Sequence, residues 1–164
     1  MPDIRLTVAA IIERDQRFLI VEEIDNGLTV YNQPAGHVEL NESILTAVSR
    51  EVLEETGLNF QPTALVGNYL LSPATNGKHY FRFCFCGDVL GDDELKPQDP
   101  DIIKAHWMTL DEITGLGRQL RSGLVLSCLR DYLSGKRYSI DQFNFSNDEV
   151  ALANSCYTAL LDFK

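Results

Sequence analysis

The chain has 164 residues, of which 45% are hydrophobic and 23% charged, a length and composition typical of one globular domain with a single core. Its 24 acidic and 14 basic residues give a formal net charge of −10, which repels nucleic acid backbones and anionic membrane surfaces. We therefore expect no nucleic acid partner and no membrane partner. A phosphorylated small molecule is compatible with this charge when a divalent cation lies between its phosphates and the carboxylates.

The N-terminal residues 1–16 lack the basic lead and the long apolar run of a secretory signal peptide. No segment has the roughly 18 apolar residues of a membrane-spanning helix. The sequence therefore predicts a cytoplasmic protein. The cysteines Cys84, Cys86, Cys128 and Cys156 have neither CxxC spacing nor paired histidines, so we expect reduced, mostly buried thiols. We further expect Cys84 and Cys86 to point to opposite faces of a strand and not to chelate a metal ion together.

The first third of the chain is predicted to be mostly β-structure. Apolar residues show a period that switches between two and about 3.6 in short blocks, which indicates a mixed α and β fold. Residues 4–12 and 18–21 are rich in strand-forming side chains, and ERDQR between them predicts a hairpin. Residues 29–32 predict a further short strand.

A helix is predicted after these strands. Asn41 is its expected N-cap, Glu42 places negative charge in its first turn, and Gly57 follows its last periodic residue. Its apolar face is predicted to consist of Ile44, Leu45, Val48 and Val52.

The rest of the chain is predicted as three strands, at 64–71, 79–89 and 103–108, separated by SPATNGK and the acidic loop GDDELKPQDPD. Asp111 is expected to open a short helical turn, and residues 124–133 a second full helix. Residues 149–161 are compatible with a short helix. We divide the chain into one domain at 1–140 and a C-terminal extension at 141–164, which packs on that domain or trails from it.

The first predicted helix concentrates charge in the segment REVLEE. Glu51, Glu54 and Glu55 are three and four positions apart, so a helix of 3.6 residues per turn places them on one face. Like charges at this spacing destabilise a helix by about 0.2–0.5 kcal/mol per pair. Mg²⁺, with Mn²⁺ as a substitute, would compensate these carboxylates because hard cations prefer oxygen ligands. A solvated helix face is the alternative interpretation of REVLEE taken alone.

Arg50 lies eight residues after Glu42 and next to Glu51 in the sequence. On a helix these positions are close to one side, so Arg50 is expected to be held by Glu42 and to orient Glu51 in turn. A residue that orients a metal ligand affects the site nearly as much as the ligand does.

The wider spacing matches a known motif, the Nudix box, at every defined position: Gly36, five residues, Glu42, seven residues, Arg50, Glu51, Val52, one residue, Glu54, Glu55, one residue, Gly57 and Leu58. The sequence therefore resembles the Nudix hydrolase superfamily. This resemblance implies an α+β protein, an α/β/α sandwich with a mixed β-sheet. It also implies Mg²⁺ held by box glutamates, while water attacks a nucleoside diphosphate linked to another group.

The segments TVYNQPAGHVE, FRFCF, HWMTLDEI, LRSGLV and SGKRYSI further resemble the NudJ-type phosphatases of bacteria, over about residues 4–140. That group is implied to release orthophosphate from nucleoside di- and triphosphates, and from thiamin pyrophosphate and its pyrimidine precursor. Tyr31 stands where the group tends to have Trp, and Gly123 where Pro is usual. Two alternatives are a Nudix pyrophosphohydrolase that releases a monophosphate and a non-catalytic nucleotide-binding Nudix module.

The resemblance implies that Glu51, Glu54 and Glu55 are metal ligands, with the backbone carbonyl of Ala35 as a further ligand. Glu51, Glu54 and Arg50 are expected to act in catalysis. We favour Glu51 or its metal-bound neighbour as the group that orients and deprotonates water. The rival bases lie in the acidic loop, where a solvated loop is the alternative: Glu94, Asp99 and Asp101.

Six residues outside these carboxylates are predicted to bind the substrate. Arg82 lies within an apolar strand and requires a partner, either a substrate phosphate or an internal Asp or Glu. Arg121 is a similar, weaker case. Tyr31, Asn32 and Gln33 are predicted to line a ring pocket, with strand packing as the alternative for Tyr31, and His37 is predicted to contact phosphate. We expect a small-molecule phosphorylated substrate and a monomer or homodimer.

Overall fold

The computed structural model describes residues 3–91 and 94–146. The strands are β1 (Ile4–Ile11), β2 (Glu13–Arg14), β3 (Arg17–Asp25), β4 (Leu28–Asn32), β5 (Ala35–His37), β6 (Asn59–Leu71), β7 (His79–Leu90) and β8 (Ile102–Thr109). The helices are α1 (Ile44–Thr56), α2 (Leu110–Gly115) and α3 (Leu124–Leu133), with a 3₁₀ turn at Gly117–Gln119. None of the helices in this part of the chain is long and apolar enough to cross a membrane.

The strands form two four-stranded sheets. The first has the order β5-β1-β7-β6 and is mixed, since β1 is antiparallel to β5 and parallel to β7. The second contains β2, β3, β4 and β8 in antiparallel pairings. With α1 packed on one side and α3 on the other, the predicted α+β class and α/β/α sandwich are confirmed.

The core has two halves because successive side chains of a strand point to opposite faces. On one face, apolar residues of β1 and β3 meet α1: Val8, Ala10, Leu19 and Val21 against Ala47, Val48 and Val52. On the other face the alternate residues meet α3: Ala9, Ile11, Phe18 and Ile20 against Val125, Cys128 and Leu129. Strands covered on both sides have continuous apolar runs rather than alternation, which explains the sequences of β1 and β3.

The predicted hairpin near the N-terminus is smaller than expected. Its turn is formed by Asp15 and Gln16, whose φ angles are 49° and 60°, and it joins β2 to β3. Strand β1 belongs instead to the first sheet, between β5 and β7. The two apolar runs therefore lie in different sheets.

Helix α1 begins later than predicted. Ser43 is the N-cap, because its Oγ accepts a hydrogen bond from the N–H of Thr46 at 3.0 Å. Asn41 is in the left-handed region with a φ of 66°, and Glu42 precedes the helix instead of lying in its first turn. The predicted end is confirmed, since Gly57 caps α1 with a φ of 81°.

The later elements largely follow the prediction, although β6 begins at Asn59 instead of 64. Helix α2 is capped by Thr109, whose side chain forms a capping box with Glu112, so Asp111 lies within the first turn. Phe143 packs against the rings of Phe83 and Phe85, so the first residues after 140 contact the core. The predicted helix at 149–161 and Cys156 lie outside the described residues, and the division at 140 stays a prediction.

The cysteine prediction is partly wrong. Cys84, Cys86 and Cys128 are free and buried, as expected. Cys84 and Cys86, however, both face α3, in the same half of the core. Residues two positions apart on a strand share a face, so the expectation of opposite faces was an error of strand geometry.

Candidate active site

Strand β5 carries two contacts to the carboxylates of α1. A Cβ atom at Gly36 would collide with both carboxylate oxygens of Glu51, so only glycine lets Glu51 lie against the backbone here. The N–H of Ala35 donates to Oε2 of Glu55 at 2.8 Å. Because β5 is the edge strand beside β1, this N–H faces the free edge, and the carbonyl of Ala35 faces the same way. The edge of β5 therefore supplies the backbone groups of the candidate site.

Arg50 connects the loop before α1 to the helix carboxylates. Its Nε and Nη2 donate to the two carboxylate oxygens of Glu42 at 3.0 and 2.7 Å. Its Nη1 donates to Oε1 of Glu51 at 2.8 Å and to Oε2 of Glu54 at 3.0 Å. Nη2 also donates to the carbonyl of His37 at 2.9 Å. The predicted contacts of Arg50 with Glu42 and Glu51 are confirmed, while its catalytic role stays a prediction.

The box carboxylates differ in burial. Glu51 and Glu55 are 9% and 5% exposed, whereas the side chain of Glu54 is 44% exposed. Burial raises the pKa of Glu51, and the hydrogen bond from Arg50 opposes this. Burial also raises the pKa of Glu55 well above its usual value, and the charges of Glu23, Glu51 and Asp99 add to the effect. Glu55 is therefore a buried acid that a nearby cation would keep ionised.

Glu23, a buried carboxylate whose charge acts on Glu55, was missed by the sequence analysis. Glu23 of β3 is 8% exposed; its Oε2 accepts from Nη1 of Arg121 at 2.8 Å, and its Oε1 has no hydrogen-bond partner. The Oδ1 of Asn32 is likewise buried without a partner. A signal was present in the sequence, because Leu19, Val21 and Glu23 alternate on the face that meets α1. A carboxylate that continues a buried strand face requires a partner.

The donor set fits a hard divalent cation. All candidate donors are oxygens, namely the box carboxylates and the Ala35 carbonyl, and the unpartnered Oε1 of Glu23 is a further buried acceptor. Within residues 3–91 and 94–146, no three Asp, Glu, His or Cys side chains converge into a closed metal cluster. Arg50 holds the carboxylates of Glu51 and Glu54, and the N–H of Ala35 holds Glu55.

Arg82 and Gln33, both predicted to bind substrate, are neighbours. Nη1 of Arg82 donates to Oε1 of Gln33 at 3.4 Å, while Nε of Arg82 is buried without a partner. Nε2 of Gln33 donates to the carbonyl of Val125 in α3 at 3.3 Å. In the described part of the chain no Asp or Glu pairs with Arg82, so the alternative of an internal carboxylate is not found there.

The other predicted substrate residues are spread around β4 and β5. Arg121 is paired with Glu23 and lies 3.7 Å from Asp25, and its backbone N–H donates to the carbonyl of Tyr31. The ring of Tyr31 points away from Asn32 toward His106, at 6.2 Å between centroids. The ring of His37 lies 6.2 Å from that of Tyr80. The structure therefore places Arg121 beside Glu23 but leaves the ring of Tyr31 on the opposite face.

The acidic loop reaches the C-terminal end of α1. The backbone N–H groups of Gln98 and Asp99 both donate to the carbonyl of Glu54, and the charge of Asp99 acts on Glu55. Glu94 instead forms an exposed ion pair with Lys96, and the backbone of Asp101 contacts β3 through the N–H of Ile24. Of the rival bases, Asp99 is the one whose charge reaches the buried carboxylates.

Comparison with known proteins identifies the family. The profile of the NUDIX domain matches residues 3–125. The chain belongs to the Nudix hydrolase family. Phosphatase NudJ of Escherichia coli K12 is similar to this Nudix hydrolase at 35% identity over 142 residues, which cover 87% of this chain and 92% of that protein. Phosphatase NudJ of Shigella flexneri shows the same identity and coverage.

Solved structures support the same assignment. A NUDIX hydrolase from Nitrosomonas europaea is 45% identical and superposes with a TM-score of 0.81, covering 88% of this chain and 98% of that one. A MutT protein from Methanosarcina mazei is 25% identical, with a TM-score of 0.67 and coverage of 82% and 97%. This Nudix hydrolase therefore acts on phosphoanhydride bonds, and enzymes of its family use divalent metal ions.

Proposed function

We propose that this Nudix hydrolase releases orthophosphate from nucleoside di- and triphosphates in an Mg²⁺-dependent reaction, in which Mn²⁺ can substitute. Thiamin pyrophosphate and its pyrimidine precursor are further proposed substrates. The observation that carries the proposal is the arrangement of two buried carboxylates, Glu51 and Glu55, against the edge of β5 at Gly36 and Ala35. The similarity to Phosphatase NudJ supports phosphate release as the activity.

The proposed metal ligands are Glu51, Glu54, Glu55 and the carbonyl of Ala35. Their oxygens suit Mg²⁺, and the burial of Glu55, which raises its pKa despite the hydrogen bond from Ala35, favours a cation beside it. A bound Mg²⁺ would supply positive charge to the phosphate oxygens and lower the pKa of a bound water. The protein's own contribution is to fix the carboxylates, and Arg50 does so for Glu51 and Glu54 together.

Glu51 is the proposed base for the attacking water. Burial raises the pKa of Glu51, which brings this carboxyl closer to the pKa of an effective general base near neutral pH. The contact with Gly36 and the hydrogen bond from Arg50 restrict the orientation of its carboxylate. Asp99 is the strongest rival, because its loop is tied to the last turn of α1.

The proposed substrate contacts are Arg82, Arg121, Tyr31, Gln33 and His37. Arg82 is supported by its unpartnered Nε and by the absence of an ion pair to it among the described residues, since a guanidinium matches phosphate geometry. Free, buried Cys84, Cys86 and Cys128 are typical of a reducing compartment, and we place the enzyme in the cytoplasm. Its proposed partner is the small-molecule substrate.

A metal-dependent phosphate-release assay tests this function. Wild-type enzyme is incubated with nucleoside di- and triphosphates and with thiamin pyrophosphate, with Mg²⁺, with Mn²⁺, or with EDTA. We expect orthophosphate only with a divalent ion, and little or none from the Glu55→Gln variant. If neither orthophosphate nor pyrophosphate is released from any substrate, the protein is a non-catalytic module and the proposal is wrong.

A further inference from the structure

A group of basic residues lies at the end of the first sheet, with His37 inside the box and the other two members outside it. We call it the cationic patch and define it as Arg5 of β1, His37 of β5 and Lys78, which immediately precedes β7. His37 and Lys78 are exposed and Arg5 is half-buried. In a chain with a net charge of −10, such a local excess of positive charge requires an explanation.

The pairing of β1 with β5 and β7 places the cationic patch further along the same sheet edge that contacts the box carboxylates. Paired residues on one face of the sheet form three successive levels. Ala9 pairs with Ala35 on the first level, Thr7 pairs with His37 and Arg82 on the second, and Arg5 pairs with Tyr80 on the third. Successive levels are two residues apart, or about 6.6 Å. The first level contains the N–H that binds Glu55. The patch therefore begins one level beyond the N–H that binds Glu55, on the face opposite the contact of Gly36 with Glu51.

The cations of this row have no carboxylate partners among residues 3–91 and 94–146. The ion pairs found there involve other basic residues, and none includes Arg5, Lys78 or Arg82. Arg82, on the middle level, is 92% buried, being 8% exposed, and its Nε has no hydrogen-bond partner. Nη1 of Arg82 donates to Oε1 of Gln33, but its buried Nε lacks an acceptor. Buried polar groups are normally satisfied, so this Nε is a second sign that the face binds an anion.

Three neighbouring cations act electrostatically on the imidazole of His37. Partial burial, together with the charges of Arg5, Arg121 and Lys78, lowers the pKa of His37. The imidazole of His37 can donate a hydrogen bond to an anion, while Arg5 and Lys78 contribute charge. The carbonyl of His37 also accepts from Arg50, so the backbone beneath the patch is anchored to the box.

We propose that Arg5, His37 and Lys78 form an anion subsite that binds a phosphate group of the substrate beyond the one attacked at the box carboxylates. The inference rests on the proposed function, because it takes the box as the place of hydrolysis. An extended polyphosphate chain that leaves the edge of β5 along β1 meets His37 first and then Arg5 and Lys78. The subsite therefore favours a substrate with three phosphates over one with two.

Kinetic discrimination tests the subsite in the Mg²⁺-loaded enzyme. The values of kcat/KM for one nucleoside triphosphate and its diphosphate are measured in wild type, Arg5→Gln, Lys78→Gln and, as a control, Arg130→Gln. Arg130 is a suitable control because its side chain is 74% exposed on α3. We expect kcat/KM for the triphosphate to fall about 3- to 10-fold in each patch variant, the range of one exposed charge-assisted hydrogen bond. The diphosphate value should change less than about twofold. Equal losses for both substrates would overturn the subsite.

A binding measurement separates this inference from the proposed function. Inorganic triphosphate is added to the metal-free protein in EDTA, and the increase in Tm is recorded for wild type, the double variant Arg5→Gln/Lys78→Gln and Arg130→Gln. We expect an increase in wild type and Arg130→Gln that is largely lost in the double variant. No increase in wild type, or an equal increase in all three proteins, would overturn the subsite. A catalytically silent protein that still shows the expected pattern would refute the proposed function alone.

Discussion

The carboxylate of Glu51 lies directly against the α-carbon of Gly36, so closely that no other side chain fits at position 36. The glycine that opens the box is therefore needed for contact with the helix as well as for the path of the loop. Because glycine has only a hydrogen atom in place of a side chain, the buried carboxylate of Glu51 can lie against the edge of β5.

Replacing Gly36 by Ala should displace Glu51 without unfolding the protein. The methyl group would occupy the space of both carboxylate oxygens, and a displacement of about 1 Å can cost about 100-fold in rate. We expect kcat to fall by about 100-fold while the circular dichroism spectrum is unchanged. Gly115→Ala is the matched control, because nothing lies within 4 Å of a Cβ at Gly115. Normal kcat in Gly36→Ala would show that the position of Glu51 is unimportant.

The Glu55→Gln substitution should abolish turnover and leave the fold intact. Gln keeps an oxygen that can accept from the N–H of Ala35 but loses the charge that holds a metal ion, so we expect kcat to fall by about 10³-fold or more. Stability in EDTA should not decrease, because a buried charge is removed. Turnover and thermal denaturation are measured on the same preparation. A variant that keeps near-normal turnover at saturating Mg²⁺ would remove Glu55 from the metal ligands.

Arg50→Ala should reduce kcat less than Glu51→Gln does. Arg50 contacts carboxylates and a backbone carbonyl, so its loss disturbs the orientation of the ligands but leaves them present, at a cost of about 10- to 100-fold. Loss of Glu51 removes a proposed ligand and base together. Measured kcat values for the two variants decide the order. The reverse order would indicate that Arg50 contacts the substrate itself.

The metal-free enzyme should lose stability as the pH rises above the ordinary pKa of a glutamate. Burial raises the folded-state pKa of Glu23, Glu51 and Glu55 above the ordinary value of 4.5. The native state therefore holds these protons more tightly than the unfolded chain, so the stability they contribute is complete below about pH 4.3 and is lost as the pH rises through the folded pKa values. His37, whose pKa is lowered, contributes a change of opposite sign near its usual pKa.

The contribution of Glu55 is isolated by comparing Tm against pH in EDTA for wild type and Glu55→Gln. We expect a shallower decline in the variant, because it lacks the carboxyl whose pKa is raised furthest from the usual range. Mg²⁺ should raise the Tm of wild type most at the alkaline end, where the carboxylates are ionised. Parallel curves for the two proteins would show that Glu55 does not titrate in this range.

Much of this site was predictable because the box residues lie close together in the sequence. Arg50, Glu51 and Glu54 share two helical turns, so helix geometry alone brings them together. The N-cap was harder, because Asn41 and Ser43 are both good capping residues, and only the left-handed turn at Asn41 makes Ser43 the cap. The ion pair of Glu23 and Arg121 joins β3 to the segment before α3. Its partners are far apart in the sequence, so no local sequence pattern predicts the contact. Unpartnered atoms such as Oε1 of Glu23 are visible only once the side chains are placed.

The position of bond cleavage is the last prediction. Nudix enzymes that cut inside a diphosphate release a nucleoside monophosphate, whereas attack on the terminal phosphorus releases orthophosphate. If Arg82, whose buried Nε has no hydrogen-bond partner, holds an inner phosphate by bidentate hydrogen bonds, the outermost phosphorus meets the water at Glu51 and Glu55. A nucleoside triphosphate should then decay through the diphosphate, with one orthophosphate released at each step.

Hydrolysis in ¹⁸O-labelled water, followed by phosphorus NMR, identifies the phosphorus that was attacked. We expect the label in orthophosphate and a transient nucleoside diphosphate without label. Arg82→Lys keeps the positive charge but loses the bidentate geometry, so it should shift part of the label to other products while Arg130→Gln should not. Stoichiometric pyrophosphate without a diphosphate intermediate would contradict terminal attack and support the alternative, a pyrophosphohydrolase that releases a monophosphate from the same Nudix fold.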